Sequence, residues 1–158
     1  MARLWMNGVV GRGPPSMAAT IIGEDVVARL RAHRVESLDD LYTLNGQPSD
    51  AIVNKHTSCL TPLLARRIQA SPFYLAAGSD AEGNGDVSAK GDPPGSVTIL
   101  GRRTIAIPDR PGNRRIDGLR TVIANPHIGL LFIIPNVAET LRINGRAFLT
   151  ADPGLLAS

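Results

Sequence analysis

The sequence predicts a mainly β protein, a small antiparallel barrel with flanking helices. Three observations carry that expectation. Six short segments of strand character follow one another between residues 72 and 151. The 16 Gly and 12 Pro punctuate them with turns. Helical periodicity is confined to the first 70 residues and to one interruption near residue 120.

Residues 1–23 read as a disordered tail: MARLWMNGVVGRGPPS holds arginines and turn formers but no acid, and its apolar pieces are too short for a secretory signal. Residues 24–70 form a helical lead-in, expected to be one domain with the barrel of residues 71–158. EDVVARLRAH (24–33) places Val26, Val27 and Leu30 on one face. SLDDLYTL (37–44) opens on Ser37 with Asp40 three residues on, a start that resembles a capping box. TPLLARRIQA (61–70) has Thr61 as N-cap and Pro62 at the first helical position, and Ser71-Pro72 ends it.

The strands follow in order. PFYLAAG (72–78) is an apolar run of buried type, and DVSAKG (86–91) returns antiparallel after the polar turn SDAEGNG. SVTIL (96–100) and TIAIP (104–108) flank Gly101-Arg102-Arg103 as a hairpin. HIGLLFIIP (127–135) is long and β-branched, as a central strand would be. ETLRINGRAFLTA (139–151) alternates around Asn144-Gly145, which predicts a bulge or a tight hairpin there. Between the fourth and fifth strands, NRRIDGLRTVIAN (113–125) predicts a helix with Asn113 as N-cap and Asn125-Pro126 as its stop.

Composition narrows the function classes. A chain of 158 residues with 43% apolar and 20% charged content can bury a core as one globular domain. No apolar run reaches the roughly 18 residues of a membrane span. Cys59 is the one cysteine, so no intrachain disulfide forms, which points to a reducing, cytoplasmic setting. The three histidines are scattered, and no metal site is expected. The formal charge is +3, yet residues 102–120 hold six arginines against Asp109 and Asp117. Basicity this local favours one compact anion over a nucleic-acid track, and no aromatic residue interleaves with those arginines.

Arg114 and Arg115 would fall in the first turn of the helix starting at Asn113, with Arg110 just ahead. Cations are unfavourable at that end, by about 0.3–1 kcal/mol each, unless something negative offsets them. A phosphate is the natural candidate, since helix N-termini and arginine forks both bind it. Ser88 and Lys90, two residues apart, share one face of their strand and add a hydroxyl and an ammonium.

These segments also resemble a known family. SPFYLAAGSDAEGNGDVSAKGDPPGSVTIL, followed by IAIPDRPGNRRIDGLRTVIANPHIGLLFIIPNVAETLRINGRA, is similar to the pyridoxamine 5′-phosphate oxidase-related, FMN-binding split-barrel family, most of all to a bacterial branch with PDRPGNxR and NPxxGLLFxIP motifs. The likeness runs from about Val35 to Leu156. It implies a six-stranded antiparallel split barrel, a homodimer, and flavin mononucleotide (FMN) in a cleft between subunits. It implies that Ser88 and Lys90 lie along the flavin, and that Arg110, Asn113, Arg114 and Arg115 approach its phosphate. Asp92 and Arg146 stand in matching motifs as weaker candidates. Two departures stand out. The family has Pro-Arg where this chain has Ala89-Lys90, which keeps the charge without the fork. Relatives also continue past the position of Ser158 with a further strand. Either this sequence is truncated, or the barrel lacks its C-terminal strand and a sheet edge needs covering.

The function expected is that of an FMN-dependent oxidoreductase acting on a small molecule, with no catalytic acid, base or nucleophile recognisable in the sequence. The resemblance does not extend to the substrate-binding residues of the true oxidases. The competing expectation is a non-catalytic module that holds a flavin or another phosphorylated ligand.

Overall fold

A computed structural model describes residues 24–53, 56–110, 112 and 116–156. The chain divides into two compact units, residues 1–56 and 57–158. The sequence-predicted tail at residues 1–23 lies outside the described residues.

The first unit holds three helices: α1 (Glu24–Ala32), α2 (Leu38–Asn45) and α3 (Asp50–Val53). α2 starts as its sequence implies. Ser37 Oγ accepts from the Asp40 amide at 3.0 Å and donates to Asp40 Oδ2 at 2.7 Å. The acids Asp39 and Asp40 in its first turn complement the helix dipole. Gly46, at φ 75°, ends it by donating to the Tyr42 carbonyl at 2.8 Å.

The second unit opens with α4 (Pro62–Ala70), capped by Thr61, whose hydroxyl accepts from the Leu64 amide. Six antiparallel strands follow: β1 (Phe73–Ser79), β2 (Gly85–Gly91), β3 (Thr98–Gly101), β4 (Thr104–Ala106), β5 (His127–Ile133) and β6 (Leu141–Arg146). Four make a sheet in the order β2-β1-β5-β6, and β3-β4 form a second, two-stranded sheet. With α5 (Asp117–Ala124) and α6 (Pro153–Leu156), this is a mainly β fold of split-barrel type. The β1–β2 turn is built by Asp80, which accepts from the Glu82 and Asn84 amides and the Asn84 side chain. Those bonds, the Asn84 side chain first, hold its carboxyl below the usual range.

One face of the large sheet makes the core. Tyr74 and Ala76 of β1, Ile128, Leu130 and Phe132 of β5, and Leu141 and Ile143 of β6 alternate inward. They pack with Ile68 of α4 and with Val97, Ile99, Ile105 and Ile107 around the small sheet. Ser71 is the buried polar residue of this layer. It places Oγ 2.7 Å from both the Phe73 and Ile133 carbonyls and so joins the ends of β1 and β5.

Two sequence-based expectations are corrected here. Asn144-Gly145 is neither a hairpin nor a bulge: β6 runs through it in unbroken register, Gly145 opposite Ile128 and Asn144 opposite Gly129. Pairing with β5 and the inward Leu141 and Ile143 override the local turn preference. The helix expected from Asn113 begins at Asp117 instead, with Ile116 at the N-cap and no side-chain cap. That start puts an acid, Asp117, in the first turn, which the helix dipole favours.

Candidate functional site

The inner face of the sheet changes character at β2. Asp86, Ser88 and Lys90 alternate inward and are half-buried, while Val87 and Ala89 point out and are exposed. The apolar lining contributed by β1 and β5 thus ends in a polar strip along the sheet edge. Lys90 stands directly opposite Tyr74, Ser88 opposite Ala76 and Asp86 opposite Gly78. α5 lies over this strip. A methyl group at Gly118 would stand 3.4 Å from Ser88 Oγ and 3.5 Å from Asp86 Oδ2, and one at Gly78 only 3.1 Å from Thr121 Cγ2. Glycine at both positions lets the helix approach this closely.

Beyond Lys90 the chain turns through the GDPPG break. Asp92 donates its amide to the Pro72 carbonyl at 3.1 Å, and Gly95 donates to the Gln69 carbonyl at 2.6 Å. Gly95 holds φ 89°, a conformation that glycine adopts without strain. Two ion pairs close the corner. Lys90 Nζ is 3.6 Å from Asp109 Oδ1, and Arg110 Nε donates to Asp92 Oδ1 at 3.2 Å. The sequence neighbours Asp109 and Arg110 thus bind to the two ends of one short stretch, residues 90–92. Asp92 is the least exposed of the four, at 12%.

Tyr74 sits behind these pairs. Its residue is 2% exposed, its ring packs against Phe132 with centroids 5.3 Å apart, and its hydroxyl has no hydrogen-bond partner among the described residues. Burial pushes its pKa up to about 12, helped by the nearby Asp92 and Asp109 carboxylates and opposed by Arg110. The hydroxyl therefore stays protonated at neutral pH. An unpaired buried hydroxyl costs about 1–3 kcal/mol.

The sequence-predicted residues fare differently. Ser88 and Lys90 share a face, and Arg110 reaches the same corner through Asp92. Asn113, Arg114 and Arg115 lie outside the described residues. The helix end expected to attract an anion instead has acids beside it, Asp117 in its first turn and Asp86 on the facing strand. Arg146 is on the opposite face of β6, across from His127, and does not join Ser88 and Lys90. Asp92 does belong to the corner. Tyr74 and Asp109 were not singled out from sequence; the tyrosine's place in the apolar run PFYLAAG, facing inward, was the available signal. Among the described residues, no cluster of His, Cys, Asp or Glu is placed to hold a metal, and no helix is long and apolar enough to cross a membrane.

Residues 60–158 match the family model described as pyridoxamine 5′-phosphate oxidase. The chain belongs to that family. The match covers α4, all six strands and the polar strip on β2, so the oxidase-family region contains the whole candidate site. The family is of flavin-binding, oxidoreductase type. No curated protein and no solved structure matches the chain.

Proposed function

We propose that this chain is an FMN-binding flavoprotein and a flavin-dependent oxidoreductase of the pyridoxamine 5′-phosphate oxidase-like class, working in the cytoplasm on a small molecule. The observation that carries the reading is the polar strip of β2. In a chain of this family, Ser88 and Lys90 face the same side, and Arg110 stands at the end of the strip. A hydroxyl and two cations suit a phosphorylated flavin, the cations for the phosphate and Ser88 for a polar edge. The buried Tyr74 hydroxyl supports the fit, because it is a donor without an acceptor among the described residues. Arg114 and Arg115 belong to the reading through their place in the sequence, next to Arg110. When bound, the flavin supplies hydride or electron transfer, and the chain's own residues bind and orient it.

Titration of the purified protein with FMN, FAD and riboflavin, followed by absorbance and flavin fluorescence, tests the reading. FMN is expected to bind tightest. Equal affinity for riboflavin and FMN would remove the case for a phosphate contact. Reduction of the bound flavin by NAD(P)H and reoxidation by air would mark an enzyme. Bound flavin that NAD(P)H leaves oxidised would mark the non-catalytic module instead.

The same reading includes a homodimer with the cofactor at its interface. The β2-β1-β5 part of the sheet face opposite the core is apolar: Phe73, Leu75 and Ala77 alternate outward on β1, Leu131 and Ile133 on β5, and Val87 is 65% exposed on β2, while β6 adds Arg142 and Arg146 at one side. A monomer rarely leaves so contiguous a face to water. Sedimentation at micromolar concentration should give twice the chain mass, and a clean monomer that binds FMN would contradict the dimer.

A further inference from the structure

The corner around Tyr74 contains a mismatch. Three donors belong to it: the Tyr74 hydroxyl; the ammonium of Lys90, the residue paired opposite Tyr74 on the sheet; and the Arg110 guanidinium, close enough to act on the tyrosine electrostatically. Both cations are already matched, Lys90 with Asp109 and Arg110 with Asp92. Among the described residues the hydroxyl is not, although Asp92 and Asp109 both lie close enough to act on it electrostatically. A carboxylate placed to satisfy Lys90 from the outside thus leaves the buried donor behind it unused. The two ion pairs also differ in kind. Asp92 is nearly buried and fixed by its amide to Pro72, whereas the Lys90–Asp109 pair is exposed on both sides, 40% and 56%. An exposed pair at 3.6 Å contributes little and exchanges easily.

We infer that the Tyr74 hydroxyl is the inner hydrogen-bond donor for an oxyanion held between Lys90 and Arg110, and that Asp109 occupies the oxyanion's place on Lys90 until it binds. Tyr74 is then a ligand-positioning residue of this site, and Asp109 an intramolecular competitor for it. The ligand class is a phosphate or phosphate monoester. Such a group has enough acceptor oxygens to take all three donors at once, and its charge exceeds that of the carboxylate it displaces. The inference rests on the flavin reading only for the identity of the group that carries the phosphate.

The test uses the full chain and two probes, FMN and inorganic phosphate, on the wild type, Tyr74→Phe and Asp109→Asn, with the melting temperature of each ligand-free protein. Tyr74→Phe should bind both probes roughly tenfold more weakly. Its ligand-free melting temperature should be level or higher, because the hydroxyl it removes is unpaired. Asp109→Asn should bind both probes several-fold more tightly. Unchanged affinity in Tyr74→Phe overturns the inference and leaves the flavin reading standing. A Tyr74→Phe chain that melts lower or fails to fold overturns it too, since the hydroxyl would then be bonded without ligand. Weaker binding by Asp109→Asn overturns the competitor role. A wild type that binds phosphate but not FMN overturns the flavin reading alone, and one that binds neither overturns both.

Discussion

Replacing Phe132 by alanine is expected to destabilise the protein by about 3–5 kcal/mol, enough to consume much of a typical domain's stability. Phe132 is 2% exposed and sits on β5, the strand paired to both β1 and β6. Its ring is the partner of the Tyr74 ring, 34° between planes. Truncation therefore removes an aromatic pair and opens a cavity that two hydrogen-bonded neighbouring strands cannot easily close. Two controls give the number its meaning. Phe132→Leu keeps most of the volume and should cost less than about 2 kcal/mol. Phe148→Ala removes the same ring from a position 81% exposed and should stay within about 0.5 kcal/mol of wild type. Denaturant unfolding with an unchanged slope is the measurement. A Phe132→Ala chain as stable as Phe148→Ala would mean that the core is not assembled around β5.

The loss should also reach the candidate site, because Tyr74 is held by the same contact. That coupling separates what the sequence made legible from what it did not. Alternation in DVSAKG was enough to place Ser88 and Lys90 on one face, since a strand has a period of two wherever it pairs. The six strands were legible for the same reason, and α2 and α4 announced their caps. Four features were not legible, each for its own reason. Asn113 has a good N-cap side chain, but cap preference is local, and the helix start answers also to charge: Asp117 suits the first turn and the arginines do not. Asn144-Gly145 is a strong turn signal in isolation, yet six residues of pairing with β5 outweigh it. Tyr74 was hidden by its company, because a tyrosine within an apolar run reads as core. That reading is right for its ring and silent about its hydroxyl. The four-residue helices α3 and α6 are too short to leave a periodic signal at all.

Lys90→Met should lower FMN affinity by about 1.5–3 kcal/mol, roughly 10- to 100-fold in Kd, while the ligand-free protein keeps its stability. The two halves of that expectation come from one contact seen in two states. Without ligand, the Lys90 ammonium pairs, among the described residues, with Asp109, at 3.6 Å and partly in water, where an ion pair is worth about 0–1 kcal/mol. Methionine keeps the length of the stem that lies opposite Tyr74, so little packing is lost. With ligand, the same ammonium would face a phosphate in a half-buried strip, where a charge-assisted bond is about twice as strong as a neutral one. Riboflavin is the internal control. Lacking the phosphate, it should bind wild type and Lys90→Met alike. Raising the salt concentration should shrink the difference between the two proteins for FMN and leave riboflavin untouched, because the missing interaction is ionic and partly exposed. Lys90→Arg should recover most of the affinity, since only the charge is required at a site where this chain does without arginine's fork. Calorimetric titration of the six protein–flavin pairs, with a melting curve for each free protein, reads all of this together. Equal losses for FMN and riboflavin would place Lys90 beside the flavin ring rather than the phosphate. A lower melting temperature with unchanged affinity would make Lys90 a structural residue of the strand end and remove it from the site.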